Sequence, residues 1–333
     1  MKNFTSYLDT PQFQALALHC LIGLEIPVHL FGAFCILFRT PESMRSVKWG
    51  MLNLHVWSMG LDLGVSLLTI PYILYPALAG FTMGILTDLE VPMAYQAYLL
   101  AVLIGLLGVS IVTILENRYS LLFAQDHWWR HCRTPFLVFN YIFALVYFYP
   151  AYYYFPDQES SRKEVFKMLP ELPQEIYDAP VFVLALDFRY IVLPVFVMSN
   201  LLVMESGCFI VLIYGNMNER TKKLTLSRHT IKMQRKFLRA LNIQTAIPLL
   251  ILALPMGYLV TSRVLNLYIQ SANNLCFIII ALHGLSSTLI MLYIHAPYRD
   301  VCKQYGMVKF DVLWSGRGRR LVNCGLSVVE GQH

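Results

Sequence analysis

Seven stretches of the chain, near residues 14–38, 50–78, 92–115, 134–155, 190–214, 240–261 and 274–296, are almost continuously apolar, and short polar segments separate them. Each is close to or above the ~20 residues a helix needs to cross a ~30 Å hydrocarbon core. A helix suits that medium because it satisfies its own backbone groups where no water can. The pattern therefore predicts an all-α membrane protein, a seven-transmembrane helix bundle. Pro71 lacks an N–H and predicts a kink or an early helix end in the long second stretch. Pro194, Pro248 and Pro255 fall in the fifth and sixth stretches, where neighbouring helices can accommodate them. After the seventh, "PYRDVCKQY" places Tyr298, Val301, Cys302 and Tyr305 on one side of a helix that Pro297 can begin. A short amphipathic helix lying along the membrane is expected there. Cys302 is a candidate palmitoylation site on it.

Composition excludes the soluble alternative. Apolar residues make up 57% of the 333 positions and charged residues 14%, against ~25% charged in soluble domains. The net charge of +6 is unevenly placed. Segments 39–48, 116–133, 215–239 and 297–333 hold 20 of the Lys and Arg residues, and the segments on the opposite side hold 6. The positive-inside rule then sets the N-terminus outside and the C-terminus inside. This divides the chain into an extracellular N-terminus (1–13), the seven-transmembrane domain (14–296) and a cytoplasmic tail (297–333). Asn3-Phe4-Thr5 forms a glycosylation sequon on the expected outer side. The polar start gives no sign of a cleavable signal peptide, so the first span is expected to act as its own insertion signal. No cysteine falls in an expected outer loop, and no outer disulfide is anticipated.

Ionisable residues inside the spans stand out because charge at membrane depth is costly and usually faces the bundle interior. Glu25 and His29 share a helix face, as do His55 and Asp62. Asp62, near the middle of its span, is the candidate buried switch or ion site. A plain interhelical hydrogen bond is the other reading, and it also covers His283 and Glu205. The third apolar run ends on Glu116, Asn117 and Arg118. A cation at a helix C-terminus suits the macrodipole, and Arg can snorkel to headgroups. Glu116 and Arg118 are two apart and do not face each other on a helix, so any partner holding Arg118 must be Asn117 or another helix. In "RHTIKMQRKFLRAL", Arg228, Lys232, Arg235, Lys236 and Arg239 recur at helical spacing, giving a basic stripe on an inward extension of the sixth helix. That stripe fits partner contact, and it fits topology and anionic lipid equally.

The runs "EIPVHLFGAFCILFRTPESMRSVKWGMLNLHVWS" (25–58), "ENR" (116–118), "QRKFLRALNIQTAIP" (234–248) and "HGLSSTLIMLYIHAPYR" (283–299) together resemble the nematode serpentine receptor class H family. The resemblance extends over nearly the whole chain, in order, and weakens in the 156–189 loop and the last thirty or so residues. It implies a chemosensory G-protein-coupled receptor that binds an external small molecule and activates a heterotrimeric G protein. It further implies a role in olfaction and a place in the plasma membrane, at the sensory cilia of chemosensory neurons. Arg118-Tyr119 resembles the Arg-Tyr that closes the third helix of rhodopsin-like receptors, although Asn117 stands directly before the Arg here and the acid lies one position further back. The resemblance thus points to Glu116, Asn117, Arg118, Tyr119, Arg235, Lys236 and Arg239 for G-protein coupling. Small-molecule sites are mostly apolar with a few placed polar groups. In the outer halves of the spans, Tyr98, Tyr190, Tyr258 and Asn274 are the expected ligand-binding set.

Enzyme motifs such as His-Glu-x-x-His, Gly-x-Ser-x-Gly and the phosphate loop do not occur in the sequence. No cofactor, metal or nucleic-acid partner is expected, and the partners are the ligand, the G protein and the bilayer. A multi-pass transporter or ligand-gated channel is the alternative, and the lack of a repeat between the two halves weighs against it.

Overall fold

The computed structural model describes residues 6–124, 127–169, 172–222 and 228–305. Helix α1 (Pro11–Phe38) starts where Pro11 supplies the first helical position and the Thr10 hydroxyl caps the Phe13 N–H at 3.1 Å. Helix α2 (Arg45–Leu63) runs into a π-helical stretch (Gly64–Thr69). The chain then breaks at Ile70, whose φ of 44° is left-handed, and Pro71 follows without a donor. Strand β1 (Pro71–Ile73), strand β2 (Leu78–Thr82) and the short helix α3 (Ile85–Asp88) lead to α4 (Met93–Phe123). Helices α5 (Trp129–Val146) and α6 (Tyr149–Tyr153) come next, then α7 (Gln158–Met168), α8 (Gln174–Asp178) and strand β3 (Phe182–Ala185). Helices α9 (Arg189–Lys222), α10 (Arg228–Leu265), α11 (Gln270–Ile294) and α12 (Ala296–Gln304) complete the described chain.

Six helical segments among the described residues are long and apolar enough to cross a membrane. Helix α2, which carries Arg45, Lys48 and Asp62, fills the seventh place. The main core forms where α1, α2, α4, α11 and α12 meet, around Leu18, Ile36, Met51, Leu61, Val112, Ile114 and Tyr298. The expected early end near Pro71 is present, but residues 71–78 belong to a sheet instead of the second span. Helix α4 reaches Phe123, eight residues past the expected limit, so Glu116, Asn117 and Arg118 lie well inside a helix and not in its last turn. At 1.5 Å per residue α4 is about 46 Å long against a ~30 Å core, so its ends stand clear of the hydrocarbon. The short helix after the seventh span is present as α12.

One end of the bundle carries an antiparallel sheet in the order β1-β2-β3, with Pro71 opposite Thr82, Ile73 opposite Gly80 and Leu78 opposite Ala185. Gly80 permits the close pairing, because a Cβ there would run into the Tyr72 carbonyl and lie 2.9 Å from Ile73 Cα. Helices α7 and α8 back this sheet through a second core of Tyr72, Leu74, Phe81, Val165, Ile176 and Val183. The described residues of the 156–189 segment, 156–169 and 172–189, therefore form a packed cap on that end of the bundle.

Candidate functional site

The polar residues that the sequence scatters along three spans converge in the membrane interior. Asp62 is fully buried, and its carboxylate accepts from the main-chain N–H groups of Gly284 (3.0 Å) and Leu285 (2.7 Å). His283 Nδ1 stands 2.9 Å from Asp62 Oδ1, and His29 Nε2 stands 3.2 Å from Oδ2. The other His29 nitrogen is 3.1 Å from the Thr288 hydroxyl, and His55 Nε2 is 3.0 Å from the His29 carbonyl. Small residues make the convergence possible. A Cβ on Gly284 would lie 2.5 Å from Asp62 Oδ2 and 2.7 Å from the Ser58 carbonyl, and one on Gly32 would lie 2.6 Å from Thr288. Glu25 joins the centre through Ser66. Among the described residues, no group of three or more His, Cys, Asp or Glu side chains is arranged to hold a metal ion.

At the end opposite the sheet, Glu116 is fully buried. Its Oε1 accepts from Trp129 Nε1 and its Oε2 from Arg133 Nε, both at 3.0 Å. Asn117 continues the same network, accepting from Arg133 Nη2 at 2.8 Å and donating to the Ser46 carbonyl at 3.1 Å. Arg118 is partly buried, and its charge acts on His295, just past the end of α11. His295 is itself buried and bonds Gln244 of α10 at 2.9 Å. Neighbouring residues of α4 thus face different partners: Glu116 joins α4 to α5, while the charge of Arg118 is felt at His295. Tyr119 packs on Phe209 with ring centres 5.9 Å apart. In α10, Arg235 Nη2 donates to Asn218 of α9 at 3.3 Å, Arg239 is exposed and Leu238 is buried against Ile213 and Met217. The side chain of Lys236 and the residue Asn3 lie outside what is described.

At the sheet-bearing end, Tyr258 donates to Asn273 Oδ1 at 3.2 Å, and Asn274 donates to the Leu8 carbonyl at 2.8 Å while accepting from Gln270. Tyr98 instead donates to the Leu145 carbonyl at 2.6 Å and packs on Phe148 and Tyr152. Tyr190 is exposed and stacks on Tyr154 at 4.9 Å. The expected ligand set therefore divides into two pairs with separate partners. Cys302 faces the core, and burial pushes its thiol above the ordinary range.

The sequence profile described as "Serpentine type 7TM GPCR chemoreceptor Srh" matches residues 9–307. The chain belongs to this Srh family. It is also similar to "Serpentine receptor class H-72" of Caenorhabditis elegans, with 28% identity over 297 residues, covering 86% of this chain and 84% of that protein. This Srh chain is accordingly a multi-pass membrane protein of a chemoreceptor family, a receptor class and not an enzyme class.

Several residues of the Srh chain's polar networks were not singled out by sequence reasoning. Arg133 and Trp129 sit in the basic segment counted only for topology, Gln244 within the "NIQTAIP" run and His295 within "YIHAPYR". The signal that could have found Arg133 was Glu116 itself, since a carboxylate at that depth needs a cationic partner from a neighbouring helix. Glu205 has a weaker arrangement, with Asn140 Nδ2 at 3.3 Å from one oxygen.

Proposed function

We propose that this Srh protein is a chemosensory G-protein-coupled receptor of the plasma membrane, of sensory cilia in particular, with the sheet-bearing end outside. The observation that carries the reading is Arg118, partly buried on α4, whose charge acts on His295 and so on the Gln244–His295 contact that ties α10 to the end of α11. Movement of α10 relative to α11 would break that contact and change what Arg118 faces, which is the kind of rearrangement that can open a surface for a G protein. Glu116 and Asn117, committed to Arg133, keep α4 and α5 together meanwhile, and Arg235 and Arg239 supply basic groups on the face that would be uncovered. A small, mostly apolar ligand acts from the sheet-bearing end, and its contact set centres on Tyr258 and Asn274 at the α10–α11 junction. Tyr98 and Tyr190 flank it from the α4 and α9 side.

The test is a ligand screen in a heterologous calcium or cAMP assay with Arg118→Ala as the control. An agonist response that falls in R118A at equal surface density supports the reading. Equal signalling in R118A, or current that persists when G-protein coupling is blocked, overturns it. An epitope at the N-terminus that labels only after permeabilisation would reverse the assignment of sides. With an agonist in hand, Ala at Tyr258 and Asn274 should shift its potency more than Ala at Tyr98 or Tyr190.

A further inference from the structure

The contact between α1 and the π-helical end of α2 depends on where hydrogens can be. Ser66 Oγ lies 2.5 Å from Glu25 Oε2 and 2.7 Å from the main-chain oxygen of Asp62. Both lengths are those of full O–H···O hydrogen bonds. A serine hydroxyl carries one hydrogen, and a peptide carbonyl can only accept. If Ser66 gave its hydrogen to Glu25, Ser66 Oγ and the Asp62 carbonyl would face each other at 2.7 Å with nothing between them. The arrangement closes only if Ser66 donates to the carbonyl and receives a hydrogen from Glu25.

Two further observations agree. Glu25 is fully buried, and its Oε1 has no hydrogen-bond partner, which a neutral acid tolerates and a carboxylate in hydrocarbon does not. Asp62, whose charge acts on Glu25, has four hydrogen-bond partners of its own: the main-chain N–H groups of Gly284 and Leu285, which donate to it, and the rings of His29 and His283. The hydrogen count at Ser66 therefore puts the proton on Glu25, while Asp62 is engaged by partners of its own. The groups around this site are His29 on α1, Asp62 and His55 on α2, Ser66 in the π-helical stretch, and His283 on α11.

We propose that Glu25 is a proton-binding site within the membrane: a neutral carboxylic acid that donates to Ser66 and, through it, ties α1 to the Asp62 carbonyl at the start of the π-helical stretch. The bound species is a proton, and the site stands whether or not the receptor reading above is correct. A π-helical stretch is a common place for a helix to change register at functional sites, and this tie holds it in its present one.

The experiment is infrared spectroscopy of the purified full-length protein at neutral pH, in water and deuterium oxide, with E25Q, S66A and E205Q. The wild type should show the carbonyl stretch of a protonated carboxylic acid. That band should vanish in E25Q, persist in E205Q and shift in frequency in S66A, where the acid loses its acceptor. A spectrum unchanged in E25Q overturns the proposal. Should E25Q not accumulate as folded protein, S66A decides, because an ionised Glu25 has no such band to shift. Thermal unfolding gives an independent readout. Gln keeps an N–H donor for Ser66, so E25Q should melt near the wild type while E25A melts lower, and equal losses in both would overturn the donor role.

Discussion

At the sheet-bearing end, Gln14, Gln270, Asn273 and Asn274 each reach a main-chain carbonyl of another segment, at Pro71, Ile73, Tyr75 and Leu8. At the opposite end, Glu116 and Gln244 meet side chains of other helices, Arg133, Trp129 and His295. The difference follows from what each end has to satisfy. Irregular segments leave backbone carbonyls that need partners, and the amides of α1 and α11 provide them. Helix backbones mostly satisfy themselves, so the opposite end is joined mainly by side-chain pairs, beside contacts such as Asn117 with the Ser46 carbonyl, and those pairs can exchange partners without unravelling a helix. The sheet-bearing end is therefore expected to move as a block and the other end to rearrange.

The largest expected effect comes from breaking the joint that holds a fully buried carboxylate. Arg133→Ala leaves the fully buried Glu116 carboxylate with only Trp129 and is expected to cost about 3 kcal/mol, the low end of the ~3–5 kcal/mol usual for removing one partner of a buried pair, because Arg133 itself is partly exposed. Thermal unfolding in detergent measures it. Arg133→Lys should fall between the two, because an ammonium cannot serve Glu116 and Asn117 with the fixed fork that Arg offers. The pair E116Q/R133A should recover part of the loss. An R133A protein as stable as the wild type would mean that α4 and α5 are held by packing alone.

Next in size is Asn274→Ala, which removes the donor to the Leu8 carbonyl and the acceptor for Gln270, at roughly 1–2 kcal/mol. Here the location of the change matters more than its size. Hydrogen exchange should rise in residues 6–10 and in β1 together, since Tyr72 also donates to the Asp9 carbonyl at 2.6 Å, while the α4–α5 junction stays protected. Exchange that rises in the N-terminal segment alone would show that this end does not move as a block.

The sequence revealed the parts of the molecule that are local. Apolar runs marked the spans, Pro71 marked the end of α2, and one-sided spacing after Pro297 marked α12. The sheet was hidden because β1 continues an apolar run and its pairing is non-local: residues 71–73 meet 78–82, which meet 182–185. Apolarity alone does not distinguish a strand of a cap from the last turns of a span. The same limit applied to the polar sites. Asp62 and His29 were visible as costly residues, but that Gly284 and Leu285 would offer their N–H groups to Asp62 depends on how α11 packs against α2. Tyr98 and Asn274 were grouped by depth, and depth does not say which neighbours each helix presents.

The smallest effect concerns the outer layer of the sheet-bearing end, where Asp157 caps α7. Its Oδ2 accepts from the Ser160 N–H at 3.0 Å and the Ser160 hydroxyl at 2.8 Å, and these bonds, the backbone one first, hold the carboxyl below its usual value. A depressed carboxylate stabilises the fold above its unfolded value of 3.8 and loses that contribution as pH falls through the folded one. The cap should therefore be unchanged between neutral pH and pH about 5 and weaken only in stronger acid. Asp157→Ala should raise amide exchange at Ser160 and Ser161, while Asp157→Asn, which keeps an acceptor oxygen, should raise it less. The difference between wild type and D157N should narrow only as pH falls through the folded-state value, which lies below 3.8, because there the wild-type carboxyl becomes neutral too. Neither change should move the melting temperature of the bundle, because the group is exposed and its bonds stay within one turn of α7. A D157A protein that melts as low as N274A would place this acid among the contacts that hold the end together, and the block would then extend to the surface of the cap.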